Sequence, residues 1–179
     1  HPPPPPPTPT LDNLRRQRQM CIRDSRYSDA IRTAEDAQDL DEYYDSAQLF
    51  GAIARYEECR FQEALDILET LNVLWAGSGV ATVRALCHVE IGQRAAAHEL
   101  LEQIRTAGHV FDEGLVLAAL GNYDAAEPAF KASIFDGPDF PTSYWPTISV
   151  RYLFKRVWDM IPNASWRAAM LDRINEINS

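Results

Sequence analysis

The candidates for catalysis or metal binding are His88, His98, His109, Cys59 and Cys87, together with scattered carboxylates. Cys87 and His88 are adjacent, so on a helix their side chains would diverge by about 100° and could not form a nucleophile and base pair. The sequence contains no HExxH pair, no P-loop glycine series and no GxGxxG segment. We therefore expect no enzymatic activity, no metal site and no cofactor.

The charge balance argues against nucleic-acid binding. The chain has 17 Lys and Arg against 26 Asp and Glu, a formal net charge of −9, whereas affinity for phosphate backbones comes mainly from clustered cations. No apolar run approaches the roughly 18 residues that a membrane span requires. We expect protein or peptide partners, without nucleic acid and without a membrane span.

The cysteines give limited information about the compartment. The chain has three cysteines, Cys21, Cys59 and Cys87, and no CxxC pair. We therefore expect reduced, buried thiols. Free thiols and the lack of a visible signal peptide favour the cytoplasm. Because residue 1 is not Met, we expect the native start to be missing, and a periplasmic location stays open.

The first 24 residues differ in composition from the rest. Residues 1–9 are almost pure proline, and residues 15–24 have the sequence RRQRQMCIRD. Such a segment could supply a polyproline ligand and a basic tag, but we interpret it as a disordered linker or as sequence foreign to the protein. The remaining residues, 25–179, form the expected domain.

A short pattern recurs through that domain. An alanine stands four residues beyond a polar residue at Ala30, Ala64, Ala97 and Ala126, at intervals of 34, 33 and 29 residues. A period near 34 is typical of repeated helical hairpins. Glycines precede two of these segments, at positions where a left-handed residue would end a helix.

The third unit resembles the tetratricopeptide repeat (TPR) consensus most fully. Gly114 stands within its first helix, Gly121-Asn122-Tyr123 forms the turn, Ala126 and Phe130 follow in the second helix, and Pro138 closes the unit. In this family small residues lie where the paired helices come closest, and large residues fill the space between hairpins. In the first complete unit Cys59 replaces the turn glycine.

The fold class predicted from this resemblance and from the apolar spacing is an all-α, TPR-like helical-hairpin solenoid. We expect about three complete repeats, in units of about 41–75, 78–107 and 109–138. A leading helix without its hairpin partner precedes them, which suggests a truncation or fusion near Ser25, and a capping pair follows at 142–179. The predicted helices are 26–38, 41–57, 60–74, 79–91, 93–106, 110–120, 122–135, 146–160 and 164–177, with Gly77-Ser78-Gly79 as a turn.

Stacked hairpins form a concave surface from their first helices, and such surfaces bind peptides or helices. The resemblance to TPR proteins implies a groove that is apolar and aromatic with acidic spots, so a ligand with apolar anchors and positive charge would fit. The Lys, Arg and Asn with which some TPR proteins grip chaperone tails are absent from these positions. The predicted groove residues are Phe50, Ile53, Tyr56, Glu57, Leu86, Val89, Glu90 and Phe111, although each could instead be inter-repeat core.

The C-terminal part of the chain is rich in aromatic residues, among them Tyr144, Trp145 and Trp158. These residues could seal the core as an atypical terminal repeat, which we favour, or form a surface for self-association or for a partner. The function we expect is a non-enzymatic interaction scaffold or adaptor. The alternative is a structural segment of a longer solenoid, for example in an envelope or cytochrome-type assembly complex, associating through this aromatic surface.

Overall fold

The computed structural model describes residue 21 and residues 26–36, 44–71, 73–134 and 154–177. Every regular element within these residues is an α-helix. The helices are α1 (Tyr27–Asp36), α2 (Tyr44–Glu57), α3 (Phe61–Thr70), α4 (Val73–Glu90), α5 (Arg94–Thr106), α6 (Val110–Ala119), α7 (Tyr123–Ile134), α8 (Lys155–Met160) and α9 (Ala164–Ile177).

Three consecutive pairs of helices form hairpins: α2 with α3, α4 with α5, and α6 with α7. Three-residue turns join the members of each pair, so the two helices run antiparallel. The first helices also contact one another in order, α2 with α4 and α4 with α6. This arrangement confirms the predicted all-α, TPR-like stack of hairpins.

The hairpin turns end their first helices with one left-handed residue each. Gly92 and Gly121 have φ values of 79° and 80°, and Cys59 has the same role with φ of 63°. At each corner the backbone N–H of the third residue past the helix donates to a carbonyl five residues earlier, as Gln93 does to His88 at 2.8 Å. This bonding satisfies carbonyl groups that the helix end leaves open, and it confirms that Cys59 replaces a turn glycine.

The third hairpin is held by close contact between Gly114 and Phe130. A Cβ atom placed on Gly114 would lie 2.9 Å from two carbon atoms of the Phe130 ring. Phe130 and Ala126 are fully buried. The small residue on α6 therefore makes room for the large one on α7, as the repeat pattern predicts.

The leading helix α1 packs on α2. The Arg55 guanidinium, with only 9% of its side chain exposed, binds the Glu35 carboxylate at 2.6 Å. A Cβ atom on Gly51 would lie 3.2 Å from the Cβ of Ala34, so the two helices are close there. Thus α1 lies against the first complete hairpin in the way that a second helix of a preceding hairpin would.

Two predicted boundaries are wrong. Helix α4 begins at Val73 and runs through Gly77-Ser78-Gly79, which was expected to be a turn, and α3 ends at Thr70. The predicted helix 146–160 begins only at Lys155 in the described part, because Phe154 has a left-handed backbone with φ of 61°. Helix periodicity alone does not predict where a residue leaves the right-handed helical conformation.

Cys21 is helical and 1% exposed, packed with the hydrophobic core. Apart from Cys21, residues 1–24 lie outside the described residues, so the expectation that this segment is a disordered linker or foreign sequence stays a prediction. Among the helices that the structure describes, none is long and apolar enough to cross a bilayer.

Candidate interaction groove

Most of the apolar residues predicted to line the groove are buried. For Tyr56 and Phe50 an exposed groove position and inter-repeat core were both open, and the structure buries them, with 0% and 7% of their surfaces accessible. Ile53, Leu86 and Phe111 are buried as well, and Glu57, Val89 and Glu90 are half-buried. Their role in partner binding stays a prediction. In this conformation Glu57, Val89 and Glu90 are the members of the predicted set that reach the surface.

The reason for part of this burial is helix α8, which lies across the first helices of the stack. It contacts α6, and the side chain of its Arg156 reaches Tyr56, Phe61 and Glu90. We call the surface formed by Tyr56, Phe61, Glu90, Phe111 and Phe130 the α8 groove. Three of the predicted groove residues, Tyr56, Glu90 and Phe111, belong to this surface, and a fourth, Glu57, lies beside it and accepts from the backbone N–H of Arg156.

Arg156 occupies one half of the α8 groove. Its guanidinium carbon lies 6.0 Å from the Tyr56 ring centroid and 5.4 Å from that of Phe61. One guanidinium nitrogen donates to Glu90 Oε1 at 3.2 Å, and the other donates to Cys59 Sγ at 3.0 Å. Aromatic faces attract a cation within about 6 Å, so the rings and the carboxylate form a cradle for a guanidinium group.

Glu90 links this cradle to the hydroxyl of Tyr56, which donates to the same Oε1 atom at 3.4 Å. Burial raises the pKa of Tyr56 well above its ordinary value, and the neighbouring carboxylates of Glu90 and Glu57 raise it further. The phenol therefore stays protonated and acts as a donor at neutral pH. Glu90 accepts from two groups at once and orients both of them.

Trp158 occupies the other half of the α8 groove. Its side chain is buried, with 2% exposure, and its ring centroid lies 5.3 Å from that of Phe130 and 6.2 Å from that of Phe111. Trp166 of α9 belongs to the same cluster, with its ring centroid 5.9 Å from that of Phe130. Trp158 is thus part of the core in this conformation, as the predicted cap would have it; Tyr144 and Trp145 lie outside the described residues, and the alternative association surface stays a prediction.

Glu57, the last residue of α2, lies beside the N-terminal end of α8. Its carboxylate accepts a hydrogen bond from the backbone N–H of Arg156, while its Oε1 atom is buried without a hydrogen-bond partner. Burial raises the pKa of Glu57 to about 7, against the opposing effect of Arg156. An ionised carboxylate is therefore costly at this position, and a protonated one is tolerated.

The histidines and cysteines give little support to catalysis. Cys87 is fully buried, and burial followed by the charge of Glu90 raises its pKa to about 12, so the thiolate nucleophile is not available at neutral pH. His88 Nδ1 lies 2.8 Å from Gln93 Oε1 at the turn after α4. Cys59 is free and exposed, contrary to the expected burial of all three thiols. No group of three or more metal-ligating side chains occurs in the described ranges.

Three residues of the α8 groove or its occupant were not predicted as site residues: Phe61, Phe130 and Arg156. Phe61 and Phe130 were interpreted as parts of the repeat pattern, and nothing in the local sequence of Arg156 indicates that it lies over residues nearly 100 positions earlier. The only available signal was indirect. The predicted ligand, with apolar anchors and positive charge, describes α8 itself.

No protein-family model matches the chain, and no curated protein sequence matches it. Two solved structures of similar arrangement are a mutant of MamA and MamA MSR-1, each 21% identical to this chain. The first has a TM-score of 0.46 and covers 92% of this chain and 95% of its own length. The second has a TM-score of 0.45, with 92% and 94% covered. Both similarities are too weak to transfer a function.

Proposed function

We propose that this chain is a non-enzymatic interaction module that binds a peptide or helix of a partner protein across the first helices of its hairpin stack. The observation that carries this proposal is the α8 groove, in which a short helix is held by a cation in an aromatic and acidic cradle and by a buried tryptophan. A surface that holds one helix by side-chain contacts has the shape and the chemistry to hold another.

The energetics of the groove suit recognition. Tyr, Trp and Arg are the residues most often responsible for binding energy at protein interfaces, and the α8 groove and its occupant supply one of each in Tyr56, Trp158 and Arg156. Glu90 has 15% of its side chain exposed. A charge so nearly buried discriminates strongly, because a ligand lacking a cation would leave the carboxylate unpaired.

The test is affinity capture with the full chain, comparing the Glu90→Lys variant with Glu99→Lys as a matched control. Glu99 is exposed on α5, outside the α8 groove, so both variants make the same charge change. We expect the parent and Glu99→Lys chains to retain the same partner, identified by mass spectrometry, and Glu90→Lys to lose it.

Circular dichroism must show equal helical content in the three chains, which separates loss of binding from loss of fold. Retention of the partner by Glu90→Lys would contradict the proposal that binding occurs in this groove. The proposal would also fail if every captured protein bound the parent and Glu90→Lys chains equally, or if no protein were captured at all.

A further inference from the structure

The chain's own helix α8 occupies the groove that the proposed function assigns to a partner. Residues Phe154, Val157, Trp158 and Ile161 of this segment are buried, and Arg156 reaches across to the ends of α2 and α4. The segment is short, since α8 has only six residues. A partner that enters the groove must therefore take the place of these side chains.

The contacts of α8 define what such a partner must present. The Arg156 guanidinium lies over two rings and bonds one carboxylate, while Trp158, two residues later, enters the pocket beside Phe111 and Phe130. The pattern that the groove recognises is thus an arginine followed two residues later by a large aromatic residue, on a short helical turn.

Arginine suits the cradle better than lysine. A guanidinium group is planar, so it stacks on aromatic rings and directs several N–H donors in fixed directions, whereas an ammonium group is a compact, strongly hydrated point charge. In the cradle the two terminal nitrogens of Arg156 bond separately to Glu90 and to Cys59. One ammonium nitrogen would not reproduce both contacts together with the stacking.

We propose that the partner of the α8 groove is a protein segment with an arginine and, two residues later, a large aromatic residue, and that this segment displaces α8 when it binds. The inference rests on the proposed function and adds the chemistry of the ligand. Because α8 is tethered to the groove, it competes at an effective concentration on the order of millimolar. The free chain therefore binds its partner more weakly than a chain whose α8 is loosened.

The test uses a fluorescein-labelled, amidated peptide of residues 152–163 and the full chain, with binding followed by fluorescence anisotropy. The Arg156→Ala chain should bind this peptide at least tenfold more tightly than the parent chain does, because its own α8 competes less. The matched control is Lys131→Ala, which removes a cation from an exposed pair with Glu127 on α7 and should bind as the parent does.

Two further comparisons test the chemistry. In the Arg156→Ala chain, the added change Glu90→Gln should weaken peptide binding at least tenfold. Peptides in which the arginine is lysine or the tryptophan is alanine should also bind at least tenfold more weakly. Equal helical content by circular dichroism shows that the chains remain folded.

The proposal is overturned if the peptide binds the Arg156→Ala and Lys131→Ala chains equally, or if its binding does not depend on Glu90. A dimer of the parent chain that exchanges α8, detected by mass measurement in solution, would also overturn it, because the occupant would then be a second copy. If a Glu90-dependent partner is captured but the peptide does not displace it, the proposed function stands and only the ligand chemistry fails.

Discussion

Cys59 has a backbone conformation that its side chain disfavours. The left-handed region costs a residue with a Cβ atom roughly 1 to 2 kcal/mol compared with glycine, and the equivalent turns use Gly92 and Gly121. The cysteine contributes something that glycine cannot, since its Sγ accepts a hydrogen bond from Arg156. The first hairpin thus combines backbone strain with a contact to α8.

We predict that Cys59→Gly raises the free energy of unfolding by about 1 kcal/mol, because the strain is relieved. The measurement is urea unfolding followed by circular dichroism. Cys59→Ala, which keeps the Cβ atom and loses the thiol, should give no increase. Gly121→Ala should lower the free energy of unfolding by about 1 kcal/mol, because it places a Cβ atom on a left-handed residue at an equivalent turn. Equal effects of Gly and Ala at position 59 would contradict the role of strain.

The carboxyl group of Glu57 makes the stability of the chain depend on pH. Its pKa is raised from 4.5 to about 7 in the folded chain, so the folded state holds a proton that the unfolded state releases. The stabilisation is fully present below about pH 4.5 and is lost as the pH rises towards 7. The groups that act on this carboxyl are Arg156 and Lys155, which lower its pKa, and Asp159, which raises it.

We predict that Glu57→Gln unfolds at a higher urea concentration than the parent at pH 8 and at about the same concentration at pH 5. The difference in free energy of unfolding at pH 8 should be at most about 3.5 kcal/mol, given about 1.4 kcal/mol for each pKa unit. Because other groups titrate in the same range, the quantity to compare is variant minus parent at each pH. A difference that does not change between pH 5 and pH 8 would contradict the raised pKa.

At the level of the elements, each hairpin depends on small residues that let its helices approach. Gly114 faces the ring of Phe130, which is enclosed by Phe111, Trp158 and Trp166. A ring packed on several sides cannot move to admit a methyl group, because protein interiors are close-packed. The same ring also forms part of the pocket for Trp158, so the hairpin contact and the groove share one side chain.

We predict that Gly114→Ala lowers the free energy of unfolding by about 1 to 3 kcal/mol, the usual range for overpacking. This loss should occur although alanine has a helix propensity about 1 kcal/mol better than glycine. Gly51→Ala on α2 is the matched control. Its new methyl group would meet Ala34 Cβ at 3.2 Å and the flexible end of Arg55 at 3.3 Å, so its effect should be smaller. Stabilisation by Gly114→Ala, measured by urea unfolding, would refute the close approach.

At the level of the whole molecule, one hydrophobic core extends from Cys21 to Met170. The contacts within it are uneven, since α6 and α7 meet along their lengths, whereas α8 meets α6 over a small area. Elements with fewer packed contacts open more readily than the rest of a protein. Helix α8 should therefore leave the groove without unfolding of the hairpins.

We predict that the backbone amides of α8 exchange hydrogen faster than those of α6 and α7, as measured by mass spectrometry of proteolytic peptides. Arg156→Ala should increase exchange in α8 at least fivefold while exchange in α6 and α7 stays within about twofold of the parent. Lys131→Ala should leave both regions unchanged. Equal acceleration in α6, α7 and α8 would indicate that α8 opens only when the whole chain unfolds.

The sequence by itself determined the helices, the hairpin order and the corners of the stack, because these features come from local periodicity and from single positions such as Gly92, Gly121 and Cys59. The resemblance to TPR proteins also implied that Tyr56, Glu57, Glu90 and Phe111 belong to one surface, because each stands on the first helix of a hairpin. The turn expected at Gly77-Ser78-Gly79 failed for the same local reason, since glycines inside a helix resemble glycines at its end.

Only the tertiary structure decided what covers that surface. Arg156 and Trp158 lie far along the chain from α2, α4 and α6, and no periodicity links them to Tyr56 or Phe111. Their positions depend on the left-handed backbone at Phe154 and on the fit of one guanidinium and one indole among side chains from several helices. Such fits depend on long-range packing, so the occupant of the groove, the burial of Tyr56 and the raised pKa of Glu57 become visible only in the folded chain.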